Sequence, residues 1–386
     1  MIKRRRLGRT ELMVTELGWG AMNLRRSGSF ANAYSIANKV LDSGINIIDT
    51  ARAYKGECEG RTLESERIVG EVIASRTDLK EPIVIVTKGH GYTIDALYEH
   101  LAESRQALGI TGNHDLRIGQ NKVVLVYFLH GIKADRWETV STSGVLSELG
   151  KIKEQGLVNF VGFSSHYHDT KEIKAAIDTG VFDVIELPYN VFNRSIGEDG
   201  DIDLLKYAFD ADVGIVNMKA FDGNGMESAY PILKEFMSID YPQMLNFCFS
   251  NPYISTVDAG IKFASELEMD LQVASSPRFN ENELTALKNE ADKVAGFTKS
   301  LCRECTHCNE KFECPQGINF MDALSFHSRF SLSQRFGKNF ADFATQYNNL
   351  EKAGRDCTEC GACLQWCEYK LNIPKMLKIA ESDMRG

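Results

Sequence analysis

The runs INIIDTARAY (45–54), IVIVTKG (83–89) and VVLVYFLHG (123–131) decide the fold of this chain. Each run starts with aliphatic and β-branched residues, which favour strands, and ends in polar residues. Segments with apolar residues at helical spacing lie between them, at 65–76 and 93–109. Near-continuous apolar strands are typical of a parallel sheet that is buried on both faces. The alternation therefore predicts repeated βα units.

The same alternation extends in both directions along the chain. The further strand-like runs are VTELGWGAM (14–22), VNFVGFSSH (158–166), DVIELPYN (183–190), VGIVNMKAF (213–221) and ISTVDAGI (254–261). Eight βα units in about 300 residues fit a closed (β/α)8 TIM barrel better than an open doubly wound sheet, which has fewer strands and a glycine-rich first turn. We predict an α/β barrel, with the segment 3–14 forming a hairpin at its N-terminal mouth.

Composition and charge exclude several classes of function. The chain has 386 residues, of which 43% are hydrophobic and 25% charged, as in an ordinary globular protein. Its 44 basic and 53 acidic residues give a net charge of −9, which disfavours nucleic-acid binding. The N-terminal segment lacks the apolar run of a signal peptide, and the longest uncharged apolar stretch, 123–132, is too short to cross a bilayer. We expect a cytoplasmic protein with neither a nucleic-acid nor a membrane partner.

The cysteines divide the chain into two parts. Of ten cysteines, eight fall in two tight groups after Leu301, and only Cys58 and Cys248 precede it. A disulfide framework would spread its cysteines over the surface that it holds together, so this distribution indicates metal binding. We predict a barrel domain at 1–296, ending with the helical segment 281–296, and a small, mainly helical metal-binding domain at 297–386.

The motifs CRECTHCNEKFECP (302–315) and CTECGACLQWCE (357–368) carry the strongest metal signal. Three cysteines at C-x-x-C-x-x-C spacing wrap one cubane, and a distant fourth ligates the other cubane in two-cluster ferredoxins. The spacing therefore predicts two [4Fe-4S] clusters. Zinc is the alternative, since paired C-x-x-C motifs also bind it. The predicted ligands are Cys302, Cys305, Cys308 and Cys367 for one cluster, and Cys314, Cys357, Cys360 and Cys363 for the other.

Polar residues end three of the predicted barrel strands, where the active sites of TIM barrels lie. They are Asp49, Lys88 and His130, and Tyr54 follows Asp49 on the same loop. A tyrosine is a poor acid at neutral pH unless a nearby cation lowers its pKa, and a lysine held by an aspartate supplies that cation. We interpret the four residues as a proton donor, the tyrosine, together with the residues that tune its pKa. Individually, they could instead be a helix cap, a snorkelling lysine and a core histidine.

These motifs resemble the aldo/keto reductase superfamily over residues 1–296. The resemblance rests on DTARAY (49–54), the SER tripeptide from Ser65, VTKG (86–89) and FLHG (128–131). It implies that Tyr54 is the general acid, that Asp49 and Lys88 tune its pKa, and that His130 orients the carbonyl of a small substrate. A nicotinamide would supply or accept the hydride, so the expected substrate is a carbonyl compound or an alcohol.

The resemblance also implies a nicotinamide site, which this sequence matches less well. Ser164 and Ser165 stand where the family holds the carboxamide, and Met218 stands against the nicotinamide ring. Glu186 replaces the usual glutamine, and a carboxylate cannot donate a hydrogen bond there. The full set of implied cofactor positions is Gly20, Ala21, Ser164, Ser165, Glu186, Met218, Lys219, Phe221, Gly260 and Lys262.

Three acidic residues bear on the choice of nucleotide. Asp222 replaces a residue near the pyrophosphate, Glu266 stands where NADP-using members often carry an arginine, and Asp270 replaces an asparagine near the adenine. Because like charges repel a 2′-phosphate, we expect NAD(H) rather than NADP(H). Lys262 could offset part of this repulsion, and the alternative for the acids is a solvated rim.

The cysteine-rich region resembles the dicluster ferredoxin-like domain appended to some aldo/keto reductases. The combined interpretation is an oxidoreductase with two clusters for electron transfer, to which a flavin and a one-electron partner such as a ferredoxin could be added. Two alternatives stay open: an electron-transfer subunit whose barrel has a degraded nicotinamide site, and clusters with a purely structural role. We expect His166 and His168 to be exposed loop residues, with contact to the substrate as the alternative, and Trp366 to pack beside a cluster.

Overall fold

The computed structural model describes residues 2–166, 169–221, 226–294, 297, 301–305, 307–367 and 369–385. The chain forms two compact units. Unit 1 comprises residues 1–220 and 241–280, and unit 2 comprises residues 221–240 and 281–386.

Unit 1 is a closed barrel of parallel strands, which confirms the predicted fold. Its eight strands are β3 (Leu17–Gly20), β4 (Ile47–Asp49), β7 (Ile83–Gly89), β10 (Asn121–Leu129), β11 (Phe160–Ser164), β12 (Val184–Pro188), β13 (Gly214–Met218) and β14 (Thr256–Ala259). They are hydrogen-bonded in the order β11-β12-β13-β14-β3-β4-β7-β10, and parallel pairing of β10 with β11 closes the ring. Closure removes the edge strands that an open sheet would expose.

Helices follow the barrel strands, as the apolar periodicity predicts. They are α1 (Phe30–Asp42), α2 (Ser65–Ser75), α3 (Ile94–Leu108), α4 (Ala134–Thr142), α5 (Val145–Glu154), α6 (Thr170–Asp178), α7 (Leu204–Asp210), α9 (Tyr241–Ser250) and α10 (Ala264–Ser275). Short strands lie outside the ring: β1 (Arg4–Arg6), β2 (Met13–Thr15), β5 (Lys55–Cys58), β6 (Arg61–Glu64), β8 (Ile110–Thr111) and β9 (Arg117–Ile118).

The predicted N-terminal hairpin is present and covers one end of the barrel. Strands β1 and β2 pair antiparallel, and the turn between them contains Gly8 with a φ of 52°. A Cβ at this position would lie 2.1 Å from the backbone nitrogen of Gly214, at the start of β13, so only glycine fits. Leu7 and Val14 pack into a buried cluster with strand residues such as Phe128, and this cluster fills the barrel near its N-terminal end.

Unit 2 is mainly helical in its described part. Its helices are α8 (Met226–Leu233), α11 (Glu281–Asp292), α12 (His307–Lys311), α13 (Phe320–Arg335), α14 (Ala341–Asn348) and α15 (Ile373–Met384), with short 3-10 turns at Gly354–Asp356 and Leu364–Trp366. Its buried core includes Phe320, Tyr347 and Leu377 together with Cys302, Cys363 and Cys367.

The boundary between the units differs from the predicted one. The prediction divides the chain at residue 296, whereas the segment 221–240 and helix α11 belong to unit 2. The physical reason is packing inside unit 2. Arg329 of α13 forms an ion pair of 3.1 Å with Glu235, and the hydroxyl of Ser238 donates to Glu290 of α11 at 2.7 Å.

Across the described residues, the helices are too short or too polar to span a membrane.

Candidate active site and cysteine quartets

Lys88 and Asp49 form a buried ion pair at the C-terminal ends of two adjacent strands. Asp49 is the last residue of β4 and pairs in register with Val86 of β7, two residues before Lys88. The ammonium of Lys88 donates a hydrogen bond to Oδ2 of Asp49, and the side chains are 1% and 4% exposed. Burial acts to lower the pKa of Lys88, but Asp49 and the other carboxylates raise it well above its usual value. Lys88 therefore stays charged at neutral pH.

Two more carboxylates join this pair. Oε2 of Glu186, on β12, lies 3.3 Å from Nζ of Lys88. Carboxylate oxygens of Asp49, Glu186 and Asp258, on β14, lie within 4.8 Å of one another. Burial, together with their mutual repulsion, raises the pKa of Glu186 to about 7 and that of Asp258 well above its usual range. Three carboxyl groups thus share a single buried ammonium, and part of the negative charge is neutralised by protonation.

Asp258 is a site residue that the sequence interpretation missed. It lies within strand β14, one residue before the strand ends, and a Cβ on Gly20 of β3 would lie 2.9 Å from its Oδ1. The signal was present, because an acidic residue near the C-terminal end of an apolar strand is the same pattern that singled out Asp49. Asp258 also forms a hydrogen bond with Asp49, which requires one of the two carboxyl groups to hold a proton.

Tyr54 lies against Lys88, as expected from the sequence. Nζ of Lys88 is 5.4 Å from the centre of the phenol ring. The direction of the pKa shift, however, differs from the expectation. Burial raises the pKa of Tyr54 and outweighs the lowering effect of Lys88, and the surrounding carboxylates raise it further. The phenol therefore holds its proton at neutral pH, which a proton donor needs before it reacts.

His130 completes the predicted set of four. Its ring meets that of Tyr54 edge to face, with centres 6.1 Å apart. Burial, and then the charge of Lys88, lowers the pKa of His130 to about 2. The imidazole is therefore neutral and can donate one hydrogen bond to a substrate oxygen. Its Nδ1 is buried without a hydrogen-bond partner in the described part of the chain.

Two further histidines flank His130 and were not assigned to the site. The ring of His90 stacks on that of His130 at 4.9 Å, and the ring of His166 lies 5.9 Å from it. His166 is partly buried, not an exposed loop residue as expected, and burial lowers its pKa to about 4. His168 lies outside the described residues. The hydroxyl of Tyr92 donates to the carbonyl oxygen of His130 and fixes the loop that carries it.

The predicted carboxamide-binding serines hold the strand ends together. Ser164 and Ser165 are fully buried. The N–H of Gly131 donates to Oγ of Ser164 at 3.0 Å, and Oγ of Ser165 donates to the carbonyl of Ile132 at 2.8 Å. Hydroxyl oxygens still have lone pairs to accept further hydrogen bonds. Both residues lie beside the strand that carries Glu186, with which Ser164 is in register.

The other predicted cofactor positions have the following surroundings. Met218 ends β13 and is buried, and Lys219 adopts a φ of 60°, with its carbonyl accepting a hydrogen bond from Asn190. Ala21 is buried at the start of a 3-10 turn, and the carbonyl of Gly260 accepts a hydrogen bond of 3.3 Å from Asn23. Phe221 belongs to unit 2, and Asp222 lies outside the described residues.

Glu266 and Asp270 are not a solvated rim. The carboxylate of Glu266 accepts the backbone N–H groups of Lys262 and Phe263 at 2.5 and 3.1 Å, and so caps the first turn of α10. Asp270 is 3% exposed, and burial, followed by the charge of Glu266, raises its pKa to about 7. Glu266 therefore has a local structural role in addition to any effect on a nucleotide.

The eight C-terminal cysteines form two quartets. All ten cysteines of the chain are free thiols. The first quartet, Cys302, Cys305, Cys308 and Cys367, lines one cavity, whose wall also contains Arg303, Phe320 and Tyr369. In the second quartet, the charges of Cys357, Cys314 and Cys360 raise the pKa of Cys363 in addition to burial. Each triplet of closely spaced cysteines thus meets the distant fourth cysteine of the other motif.

Trp366 packs within this region. Its indole stacks on the ring of Phe312 at 6.4 Å, and Phe312 stacks on Phe320 at 6.2 Å. Phe320 borders the first quartet, and Trp366 precedes Cys367 in the sequence. The stack therefore connects Trp366, through Phe312, to the wall of the first quartet. Cys58 and Cys248, outside the quartets, are both buried.

Comparisons with known proteins match the barrel. A sequence model described as the aldo/keto reductase family matches residues 16–239. An uncharacterised oxidoreductase, YqkF of Bacillus subtilis, is 23% identical over 327 residues, which cover 75% of this chain and 96% of that protein. The 6-dehydroglucose reductase of Novosphingobium aromaticivorans is 34% identical over 86 residues, and these cover 22% of this chain but only 28% of that protein.

Solved structures resemble the fold. The holo form of the aldo-keto reductase AKR11C1 from Bacillus halodurans superimposes with a TM-score of 0.58 at 20% sequence identity, covering 76% of this chain and 97% of that one. A second structure, a putative aldo-keto reductase from Pseudomonas aeruginosa, gives a TM-score of 0.53 at 21% identity and covers 70% of this chain and 94% of its own. Likeness at this identity establishes the barrel architecture.

Proposed function

This chain belongs to the aldo/keto reductase family and is an oxidoreductase, and we propose that it reduces a small carbonyl compound, or oxidises the corresponding alcohol, with a nicotinamide cofactor. The observation that carries the proposal is the contact set at the C-terminal strand ends. Lys88 pairs with Asp49 and lies 5.4 Å from the ring of Tyr54, whose edge meets His130. Proton donor, cation and neutral imidazole are therefore together.

Each of these residues has a defined part in the proton transfer. Tyr54 donates its proton to the carbonyl oxygen as hydride reaches the carbonyl carbon, and takes it back in the oxidation. The ammonium of Lys88 stabilises the phenolate that forms, since a charge of opposite sign lies nearby. His130, which is neutral because burial lowers its pKa, donates a hydrogen bond to the carbonyl oxygen and orients it.

The residues that would hold the nicotinamide are those at the ends of β11, β12 and β13. Ser164 and Ser165 offer hydroxyl oxygens, Glu186 offers a carboxyl group, and Met218 an apolar face. A carboxyl group with a pKa of about 7 is partly protonated at neutral pH and can then donate through its O–H, which answers the objection to Glu186. When bound, the nicotinamide supplies or accepts the hydride. We infer NAD(H) as the nucleotide, because the family resemblance aligns Glu266 and Asp270 with the adenosine half of the cofactor, where a 2′-phosphate would add negative charge.

We further propose that the two cysteine quartets hold two [4Fe-4S] clusters. A tetrahedral zinc ion with bonds of about 2.3 Å holds its four sulfurs roughly 3.8 Å apart. Among the described residues, only Asp49, Glu186 and Asp258 form a set of three or more possible metal ligands whose donor atoms all lie within 4.8 Å of one another. The sulfurs of each cysteine quartet are therefore spaced more widely than a zinc site requires. This spacing favours a cubane, which puts four iron atoms between its thiolates. The clusters would carry single electrons to a partner such as a ferredoxin.

A second candidate function has one observation in its favour. Three carboxyl groups crowd around the single ammonium of Lys88, and burial and mutual repulsion raise the pKa values of Glu186 and Asp258, which fits a barrel whose nicotinamide site is degraded. The chain would then be an electron-transfer subunit. Clusters with a structural role are a third candidate, supported by the presence of Cys302, Cys363 and Cys367 in the buried core of unit 2.

The test uses anaerobically reconstituted full-length protein. NADH and NADPH fluorescence is titrated, and consumption of NADH at 340 nm is followed with a panel of aldehydes. The proposal expects saturable NADH binding and aldehyde-dependent oxidation. Binding of neither nucleotide would favour the electron-transfer subunit instead.

A further inference from the structure

Arg136 lies next to the proposed carbonyl site but was not part of it. It belongs to helix α4, which follows the loop after His130. Nη1 of Arg136 donates to the carbonyl of Gly131 at 2.5 Å, and the guanidinium lies 5.3 Å from the centre of the Tyr92 ring. A Cβ on Gly131 would lie 2.9 Å from this Nη1 and 3.8 Å from Cδ2 of His166. The guanidinium therefore lies near the ring of His166 and shares the Tyr92 ring as a neighbour with His90.

Three imidazole rings lie in the part of the site that contains Arg136. His90, His130 and His166 form a chain of ring contacts at 4.9 and 5.9 Å. Burial is the main cause that lowers the pKa of all three rings, and nearby cations, Arg136 among them, lower it further. They are therefore neutral at physiological pH, and each offers one N–H donor. One fixed cation and three neutral donors make this side of the site attractive to negative charge.

Arg136 has no recorded ion pair with a carboxylate of the described residues. Its neighbour Asp135 pairs with Lys133 at 2.8 Å. The acids Asp49, Glu186 and Asp258 lie close to one another, and Glu186 pairs with Lys88 at 3.3 Å. A partly buried guanidinium held by a carbonyl oxygen and an aromatic face still has N–H groups directed elsewhere, and its fork matches a carboxylate. The guanidinium of Arg136 can therefore bind an anion near the histidine rings.

We propose that the physiological substrate is a carbonyl compound that carries a carboxylate, which binds to Arg136 with the aid of His90 and His166 while its carbonyl faces Tyr54 and His130. This inference rests on the proposed function. In the reductive direction, the hydride passes from NADH to the carbonyl carbon and the proton of Tyr54 to the oxygen, which gives a hydroxy acid and NAD⁺, and the Tyr54 phenolate then regains a proton from solvent. The carboxylate takes no part in the chemistry and serves to position the substrate.

The experiment compares two aldehydes of the same shape, 4-carboxybenzaldehyde and methyl 4-formylbenzoate, with NADH as the reductant. We expect kcat/KM to be at least about tenfold higher for the acid than for the ester, the size of a typical hydrogen-bonded charge pair. Arg136→Gln should reduce the ratio of the two values about tenfold, mainly through the KM of the acid. Arg136→Lys should retain part of it. Arg117→Gln on β9, an exposed arginine paired with Asp115, is the matched control and should leave both substrates unchanged.

An ester used as well as the acid, or an Arg136→Gln variant that loses both substrates equally, would overturn the inference while leaving the proposed function intact. Because the acid-to-ester ratio is measured on the wild-type protein, it remains decisive even if a variant fails to fold. Calorimetric binding of 4-(hydroxymethyl)benzoate separates the two hypotheses further. Binding that depends on Arg136 in a protein that reduces neither aldehyde would support the anion site and contradict the proposed reaction.

Discussion

The C-terminal end of the barrel, called the barrel mouth below, and the cysteine-rich unit position their functional groups in different ways. At the barrel mouth, Asp49, Lys88 and Glu186 come from three strands that are distant in the sequence, and strand register brings them together. In unit 2, six of the eight thiols come from two short motifs whose spacing alone places three cysteines side by side. The first arrangement therefore depends on the whole fold, and the second depends mainly on local sequence.

The two regions also differ in charge and in the electrons that they can handle. At the barrel mouth, acids surround Lys88, and Arg136 adds a second cation beside Tyr92, which suits a polarised carbonyl and a hydride, the transfer of two electrons at once. The quartets lie among apolar side chains and suit clusters that accept one electron each. If both proposals hold, changes in one region should leave the chemistry of the other region unaltered.

The largest expected effect follows removal of the phenol. Tyr54→Phe should lower turnover by roughly two to four orders of magnitude, since a general acid contributes about that much, and should leave NADH binding near that of the wild type. The iron content should be unchanged. Tyr98→Phe, on the surface of α3 where the hydroxyl donates to Glu148, is the control and should retain full turnover. Steady-state assays with one aldehyde are sufficient, and equal turnover of Tyr54→Phe and wild type would refute the assignment.

The four catalytic candidates are clearer in the sequence than Asp258 and Arg136, for a physical reason. The end of a long apolar run marks the C-terminal end of a strand, so a polar residue at that position is easy to recognise. Asp258 follows only two β-branched residues, and its role depends on close approach to Gly20 on a strand far away in the sequence. Arg136 lies on a helix with ordinary charged neighbours, and only the folded chain shows that its side chain turns back to Gly131.

The direction of a pKa shift was also beyond sequence reasoning. The residue types correctly suggested that Lys88 acts to lower the pKa of Tyr54, but the net shift depends on burial and on Glu186 and Asp258 together. The barrel, by contrast, follows from the period of apolar residues alone. The amphipathic pattern of helix α11 does not reveal which compact unit it packs against, so the domain boundary at residue 296 stays a prediction.

A smaller effect should appear in the pH dependence of nucleotide binding. Glu186, beside Asp49, Lys88, Lys219 and Asp258, has its pKa raised to about 7, so it is mostly protonated at pH 6 and mostly ionised at pH 8. Its ionisation favours the positively charged ring of NAD⁺ over the neutral ring of NADH. The ratio of NAD⁺ affinity to NADH affinity should thus rise about tenfold from pH 6 to pH 8.

Two variants sharpen this measurement. Glu186→Gln should flatten the pH profile of the affinity ratio, because the titrating group is gone. Asp270→Asn removes another buried carboxyl group with a pKa of about 7, but one that neighbours Glu266 and not Lys88, so it should keep the wild-type profile. A ratio that falls with rising pH would contradict the placement of Glu186 beside the nicotinamide.

The choice between NADH and NADPH should respond to Glu266 by a factor of about three. Glu266→Gln removes the charge yet retains an oxygen that can accept the N–H groups at the start of α10, so the helix cap survives. The affinity for NADPH should improve and that for NADH should hardly change. Isothermal titration with both nucleotides checks this, and tenfold tighter NADPH binding by the wild type would show that the acidic groups lie elsewhere.

The smallest expected change, in unit 2, is a halving of the iron content per chain when one cluster ligand is replaced. Reconstituted wild type should contain about eight iron atoms and eight labile sulfides per chain, and Cys367→Ser should lose the cluster bound by the triplet at 302–308. Iron would fall to about four atoms per chain, while the second quartet keeps its cluster. Cys248→Ser, a buried cysteine of the barrel, is the control. Zinc in place of iron after anaerobic purification would refute the cluster assignment.

The claim that hydride chemistry and cluster chemistry are separate has one direct test. Flavin-free, reconstituted protein is mixed anaerobically with NADH and the carboxylate-bearing aldehyde in a stopped-flow instrument, with absorbance followed at 340 nm for the nucleotide and near 420 nm for the clusters. A nicotinamide passes single electrons reluctantly, and enzymes that join the two chemistries generally place a flavin between them. We therefore expect absorbance at 340 nm to fall at the catalytic rate while that near 420 nm stays constant. Bleaching near 420 nm at the catalytic rate, with NADH as the only reductant, would contradict the account.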